Sequence, residues 1–414
     1  MFRSFLRRGP KSTKTRLTLE CLESRDAPAV LNSPVLIANG VIDRPESAAN
    51  ASGAHVVVWT QRNGVLDTDI YAQRFNALGD KIGAAIRVTT SGDNESEPDV
   101  CVDASGNFTV SYTRASGFST HIEIARFNAN GVFLERVFVP SASTFFNEKD
   151  SHLACSAAGR VVVSYTQASN FGEQDVLART YGLVNNRLTQ TRLIQVAALP
   201  GVAEADSDVA RIALSTPLGA TNFAVVYVVN GDVLARRYDD NGNLLNALNP
   251  VIRVADRAFA ENDPSIAVNA GGTFAVAWQQ QPSFFAGHDI AARTFNVNGV
   301  LSPSIRNVQT SPLDDTAPEV AIRNDGSYLV SYRSEQTGLF TFQVNVSNVP
   351  TSATLSVQTQ LVTMQSFVGQ AVGFSTLSMD PTVDPLHPTT IHYFIAYTQP
   401  SAVAFGASLV GQQR

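Results

Sequence analysis

Residues Asp289 to Gly299 read DIAARTFNVNG, and versions of this stretch recur along most of the chain. Asp69 to Gly79 reads DIYAQRFNALG, His121 to Gly131 HIEIARFNANG, Asp175 to Asn185 DVLARTYGLVN, and Asp232 to Gly242 DVLARRYDDNG. Each has a polar opening residue, then an aromatic, then Gly or Asn at a fixed offset. A column repeated at this spacing describes a structural unit and not a catalytic signature, since period is the mark of repeat architectures. Gly79, Gly131, Gly242, Gly299 and Asn185 are expected to supply the positive φ of tight hairpin turns. The aromatics Phe75, Phe127, Tyr181, Tyr238 and Phe295 are expected to pack between units. The neighbouring arginines fall in two adjacent columns, so they point to opposite faces of their sheets, which suits bonding between units.

Outward from this stretch the units read as four short strands joined by turns. An acidic turn opens each unit, as in ESEPDVCVDASG (Glu95 to Gly106). A strongly apolar strand follows, as in NFTVSYT (Asn107 to Thr113), then a variable loop, the strand ending in the aromatic, and a last strand such as AAIRVTT (Ala84 to Thr90). Strands such as HVVVW (His55 to Trp59) and FAVVYVV (Phe223 to Val229) are apolar at successive positions, so both of their faces must be covered. A radial ring covers every sheet on both sides, whereas a linear stack leaves two ends exposed. The second-strand aromatics Trp59, Tyr112, Tyr165, Tyr227, Trp278, Tyr332 and Tyr397 count the units. The expected fold is all-β: a seven-bladed β-propeller of four-stranded antiparallel blades. The last unit offers only three strands, near Val372 to Leu377, His392 to Thr398 and Val403 to Val410. A spare one, SPVLIANGV (Ser33 to Val41), stands before the first unit, and it is expected to close the last blade.

The domain division follows: 1–30 as an export leader, 31–414 as the propeller. Of the net charge of -6, residues 1–30 carry +4, with seven basic residues against Glu20, Glu23 and Asp26, and the body carries -10. An acidic body argues against nucleic acid as partner, and no run of 18 apolar residues is present to span a membrane. Arg16 to Ala29, RLTLECLESRDAPA, resembles the leader of exported planctomycete-type surface proteins, of pattern RLxLExLExRxxPA, through Arg16, Leu17, Leu19, Glu20, Leu22, Glu23, Arg25, Pro28 and Ala29. The repeat, with Arg74, Phe75, Asn76 and Gly79 in AQRFNALG, is similar to bacterial β-propeller-like repeats of YAQRFDxxGxxLG type. These resemblances imply an extracellular or cell-surface module with no assigned chemistry.

Three cysteines are present, Cys21, Cys101 and Cys155. Cys101 and Cys155 fall in the same strand of neighbouring units, one position out of register. Two buried free thiols are the expectation, a bridge requiring Cα atoms within about 7 Å.

Acidic residues precede the first strand of successive units: Glu95 and Glu97, Glu148 and Asp150, Glu204 with Asp206 and Asp208, Glu261 and Asp263, Asp314 with Asp315. They are expected to ring the channel mouth, with Asp69, Asp175, Asp232 and Asp289 on the same face. Such residues serve first as turn-capping groups. No cofactor is expected, but Glu97, Asp150, Asp206, Asp263 and Asp315 are the candidate ligands if Ca²⁺ binds, since hard cations take several oxygens. The variable loops share that face, and Phe118, Phe171, Phe284 and Phe285 lie in or beside them, placing binding there. The histidines, His152 among them, form no metal-spaced pair and read as ordinary strand or loop residues. No GxSxG, HExxH or P-loop segment is present. The function expected is therefore a non-enzymatic binding module that takes a protein or a polysaccharide through the acidic loop face. The alternative is an extracellular polysaccharide hydrolase or lyase using two carboxylates of the acidic ring. For a hydrolase these must lie roughly 5 to 9.5 Å apart in a pocket.

Overall fold

The computed structural model describes residues 35–413 apart from 65–66, 141–145, 170–171, 200, 203, 213–221, 256–259, 284–286, 336–340, 350–356, 366–374, 380–392 and 401–406. Every element among them is a β-strand, grouped in four-stranded antiparallel sheets arranged as a propeller. Six sheets, blades 1 to 6, each consist of four consecutive strands, beginning with Ile42–Ala49, Asn94–Val102, Phe146–Cys155, Glu204–Arg211, Glu261–Val268 and Asp315–Ile322. Six blades, against the seven expected, are thus built from one repeat alone. The last unit supplies three strands, Ser375–Met379, Tyr393–Pro400 and Ala407–Gln413, and the N-terminal strand Val35–Gly40 pairs with the outermost of them. The first strand of each blade packs beside the first strand of the next, and Ser375–Met379 packs against those of blades 6 and 1.

The core lies in the seams between blades, as the doubly apolar second strands require. One cluster joins Val56, Val58 and Ile70 of blade 1 to Phe108, Val110 and Tyr112 of blade 2. Another joins Val226 and Val233 of blade 4 to Phe274, Trp278 and Phe295 of blade 5. Trp59, Tyr112, Tyr165, Tyr227, Trp278 and Tyr332 are all fully buried. The third-strand aromatics stack on the residue opposite: Phe108 on Phe127 at 4.9 Å and Phe274 on Phe295 at 4.9 Å between centroids.

The repeated FN..G text has a physical cause in the turn after the third strand. Asn296 Oδ1 accepts from the amides of Asn298 and Val300, both at 3.0 Å, and Asn76 and Asn128 cap their own turns in the same way. Gly299 closes the turn at φ 80, and a Cβ there would stand 2.5 Å from Arg237 Nε. In blade 3 Asn185 takes the left-handed position at φ 50.

Both arginine columns act between blades. Arg126 Nη1 donates to Asn186 O at 2.9 Å and Arg237 Nη1 to Val297 O at 3.1 Å, each reaching forward to the turn of the next blade. The other column reaches back, Arg293 Nη1 donating to Val254 O at 3.1 Å.

The expectation of two free thiols is overturned. Cys101 and Cys155 form a disulfide between the inner strands of blades 2 and 3, with Cα atoms 5.6 Å apart. The offset of one position suits the ring, because side-chain bonds between adjacent inner strands run to the residue one step further along.

Candidate site in the central channel

Each inner strand opens with a buried carboxylate or its equivalent, then breaks register. In blade 2 the break falls between Ser96 and Asp99, and it recurs at the matching place in blades 1, 3, 4, 5 and 6. This is a β-bulge, which inserts an unpaired residue and re-aims the side chains around it. The bulge residues sit at positive φ although none is glycine: Arg44 (φ 43), Glu97 (φ 54), Asp150 (φ 50), Asp206 (φ 48), Asp263 (φ 51) and Ala317 (φ 52). Two residues on, a second column faces the channel: Glu46, Asp99, His152, Asp208, Ser265 and Glu319 line a cavity of about 260 Å³.

The members of this second column are heavily engaged. Asp99 accepts from its neighbour Val100 N at 2.6 Å and from Leu153 N of blade 3. Asp208 does the same with Val209 N at 2.6 Å and Ile266 N of blade 5 at 2.8 Å. Ser265 Oγ accepts from Val320 N of blade 6 at 3.2 Å and donates to Glu319 Oε2 at 3.1 Å. Each of these latches joins one inner strand to the residue one step further along the next, the stagger that also aligns the cysteines. His152 Nδ1 lies 3.9 Å from Asp99 Oδ2 and 3.5 Å from Asp208 Oδ1.

Crowding carboxylates out of water favours their neutral forms. Burial pushes Asp99 up to about 6, with Asp208 adding to the rise and His152 opposing it. Burial likewise raises Asp208, His152 again opposing. It lifts Glu319 well above the usual carboxylate range, assisted by Asp208 and Asp263, and raises Asp263 with help from Asp206. Above this layer Arg44 brings a cation to the bulge ring, 3.4 Å from Glu97 and 3.6 Å from Asp150. Glu97 Oε2 accepts from Asp150 N at 3.0 Å and from Thr113 Oγ1 at 2.9 Å.

Of the ring read from the sequence, Glu97, Asp150, Asp206 and Asp263 occupy equivalent bulge positions, but Asp315 does not. It belongs with Glu95, Glu148, Glu204 and Glu261 at the strand openings, where all are almost completely buried. There Glu148 meets His121 of blade 2 at 3.2 Å, and Glu261 accepts from Val233 N of blade 4 at 3.4 Å. Among the described residues no group of three or more His, Cys, Asp or Glu side chains is arranged to hold a metal.

The third-strand aspartates stand near the strand-opening acids, Asp69 adding to the rise of Glu95, Asp175 to that of Glu204 and Asp289 to that of Asp315, but they line no part of the cavity. Asp69 is completely buried and holds Arg87, Thr89 and Asn63. Asp289, also buried, accepts from Ser311 N at 3.2 Å, and Asp232 pairs with Arg253 at 3.4 Å. They fasten the third strand to the fourth strand or the segment after it, which is why they repeat. Asp175 is half-buried, its carboxyl raised by burial and by Glu173. Phe118 stands fully in solvent, but on the tip of a tight hairpin and not in a long loop, because pairing continues to Ser116 and Ser119. Phe171, Phe284 and Phe285 lie outside the described residues. The sequence reading passed over the second column as a set and took His152 for an ordinary strand residue. The column was findable, since it falls four residues after each strand-opening acid.

No family model matches the chain, and no curated protein matches it. Its fold is similar to that of solved structures. One is an ulvan lyase of polysaccharide lyase family PL25, bound to -[GlcA(1-4)Rha3S]-, with a TM-score of 0.58 and 11% identity over 91% of this chain and 95% of that one. Another is the α-L-arabinofuranosidase of Fusarium graminearum in complex with arabinobiose, with a TM-score of 0.51 and 12% identity over 73% of this chain and 92% of that one. At such identities the likeness is one of fold.

Proposed function

We propose that the protein is an exported, non-enzymatic propeller that binds a polysaccharide through the face carrying Phe118 and the bulge-ring carboxylates. A protein ligand on the same face is the other form of this reading. The observation that carries it is the engagement of Asp99 and Asp208, whose oxygens accept backbone amides from their own and the next blade. Carboxylates used in this way hold the ring together and are poorly placed to shuttle protons. The preference for a polysaccharide draws on the fold-likeness to a lyase bound to an acidic saccharide and to a glycosidase, an analogy of scaffold and not of site.

The reading includes a seven-bladed ring in which Val35–Gly40 supplies the outermost strand of the last blade. It also includes export to the cell surface or beyond, with residues 1–30 as leader. A disulfide between blades favours that compartment, since such bonds persist where the medium is oxidising. No cofactor is part of the proposal. Arg44 already supplies a positive charge beside Glu97 and Asp150.

The alternative, a polysaccharide hydrolase, is favoured by one observation. Asp99 and Asp208 both lie against His152 Nδ1, at 3.9 and 3.5 Å, so two carboxylates line one cavity with their oxygens no further apart than the upper part of the range that glycoside hydrolysis uses. The test combines a polysaccharide binding panel, read on wild type and Phe118→Ala, with a reducing-end assay on each bound glycan. Binding that weakens in Phe118→Ala without product release is the expected result. Product release abolished by Asp99→Asn would overturn the non-enzymatic reading, and retention of no polysaccharide at all would leave the protein form.

A further inference from the structure

Blade 4 departs from the repeat at its outer edge. In blade 1 the chain runs from the turn glycine Gly79 to Val88, whose amide donates to Ile70 O at 2.8 Å. Blade 4 makes the same closure, Val254 N to Val233 O at 3.0 Å, but starts from Gly242, a step of 12 positions against 9 in blade 1. The three extra residues are thrown out as a loop. Strand pairing stops after Leu244 and resumes at Val251, and the fourth strand is cut to Val251–Arg253. Leu248 in this loop is fully exposed. Where the strand is missing there is a cavity of about 760 Å³, lined by Leu234, Ile252 and Leu301 and by Asn246 and Asn249 of the loop. It adjoins a second cavity of about 240 Å³ in the seam of blades 3 and 4, with Leu199, Val229, Leu234 and Val251 common to both.

The smaller cavity coincides with a broken link in the arginine column that reaches back. Arg179 donates from Nη2 to Pro140 O of blade 2, and Arg293 from Nη1 to Val254 O of blade 4 at 3.1 Å. The Nε of each is also taken, by Tyr165 Oη and by Ser302 O, both at 3.0 Å. Arg236 is their counterpart in blade 4, four residues after Asp232 as they follow Asp175 and Asp289. It lines the cavity with Gln195, Ala197 and Ala198 of blade 3, and its Nε has no hydrogen-bond partner among the described residues. Arg236 is thus left with donor capacity that its counterparts spend on the protein, and such a group calls for an external acceptor.

We propose that the outer rim of blade 4 is a second ligand site, separate from the face carrying Phe118, which takes a neutral sugar unit.

The charges select for neutrality. Arg253 pairs with Asp232 at 3.4 Å, and Arg236 acts on the buried Glu204. An anionic ligand would therefore meet carboxylates and a cationic one would meet arginines. What remains is hydrogen-bonding capacity over an apolar lining. Each carboxamide of Asn246 and Asn249 carries both donor and acceptor, the same pair of functions that a sugar hydroxyl presents. Leu234, Val251 and Leu301 suit the C–H faces of the ring. The larger cavity falls inside the roughly 300–1,000 Å³ of small-molecule sites.

The experiment is an NMR titration of the full chain labelled at its Leu and Val methyl groups, with cellobiose, maltotriose and xylotriose as neutral probes and trigalacturonate as the anionic one. Leu234→Met and Val251→Ile identify the two reporting residues. The expected result is a saturable shift of the Leu234 and Val251 methyls with at least one neutral probe, retained in Phe118→Ala, weakened at least fivefold in Arg236→Gln, and abolished by deleting Asn246 to Leu248, which returns blade 4 to the length of blade 1. A response to trigalacturonate alone, no response of these methyls to any probe, or a response lost in Phe118→Ala and kept in Arg236→Gln overturns the rim site. If Arg236→Gln fails to fold, the deletion and Phe118→Ala decide. Failure of the Phe118 face to retain a polysaccharide does not alter these readouts, so the two readings fail separately.

Discussion

Replacing both bridged cysteines, Cys101→Ala with Cys155→Ala, removes a crosslink that closes 54 residues of chain. In the chain-entropy treatment the loss is about 2.1 + 1.5R ln n cal/mol/K with n near 54, or roughly 14 cal/mol/K, hence about 4 kcal/mol at 25 °C. Alanine is the right replacement because Cys101 packs among Ile122, Ile124, Val163 and Tyr165, where a hydroxyl would add a desolvation cost of its own. A chain of 414 residues unfolds with an entropy near 0.9 kcal/mol/K at roughly 2.1 cal/mol/K per residue, so the melting temperature should fall by about 5 °C. Guanidinium unfolding with and without a phosphine reductant measures the effect, and reductant should destabilise wild type as much as the double substitution does while leaving the variant unaffected. Thiol titration of the denatured, unreduced full chain should find one free thiol, Cys21. Three free thiols, or superimposable unfolding curves, would refute the bridge.

Other perturbations bear on separate parts of the structure. Gly299→Ala places a Cβ against Arg237 Nε at φ 80, and a loss of about 1–3 kcal/mol in chemical denaturation is expected. Asp315, raised to about 6 by burial, contributes stability that is complete below its unfolded value near 3.9 and is lost as pH rises through 6. About 3 kcal/mol should disappear between pH 4 and 7, and Asp315→Asn should flatten that portion of the stability profile. Arg126→Ala leaves the Asn186 carbonyl at the blade 2–3 seam without its donor, and the melt should show a loss of about 1–3 kcal/mol. Melting with and without a calcium chelator should give one curve; a drop with chelator would assign a metal to the bulge ring after all.

The repeat revealed the blades because its determinants are local. Aromatic, capping Asn and turn Gly act within a few residues of one another, and an apolar run such as Val56 to Val58 declares two covered faces without reference to anything distant. The pairing of Val35–Gly40 with the C-terminal strand was legible as a shortage at one end matched by a surplus at the other. The channel was harder to read, because a bulge after Glu95 or Glu148 re-aims the chain, and simple alternation assigns the wrong face to every residue beyond it. His152 therefore looked like an ordinary strand residue and Asp99 drew no reading at all, while Asp69 and Asp289 reach only the strand-opening acids Glu95 and Asp315 and not the column that lines the cavity. The disulfide was hidden for a related reason: alignment within repeats carries no information about the stagger between them.

The pairing of the first strand with the last has a mechanical consequence. Val35 lies opposite Gly411 and Gly40 opposite Ala407, so the two chain ends leave the sheet from the same end. Tension applied through both termini would peel this strand pair one hydrogen bond at a time, a zipper geometry, and not load all its bonds together in shear. A protein held by one end and pulled by the other would yield at this joint first, with the disulfide-joined inner strands of blades 2 and 3 remote from the point of rupture.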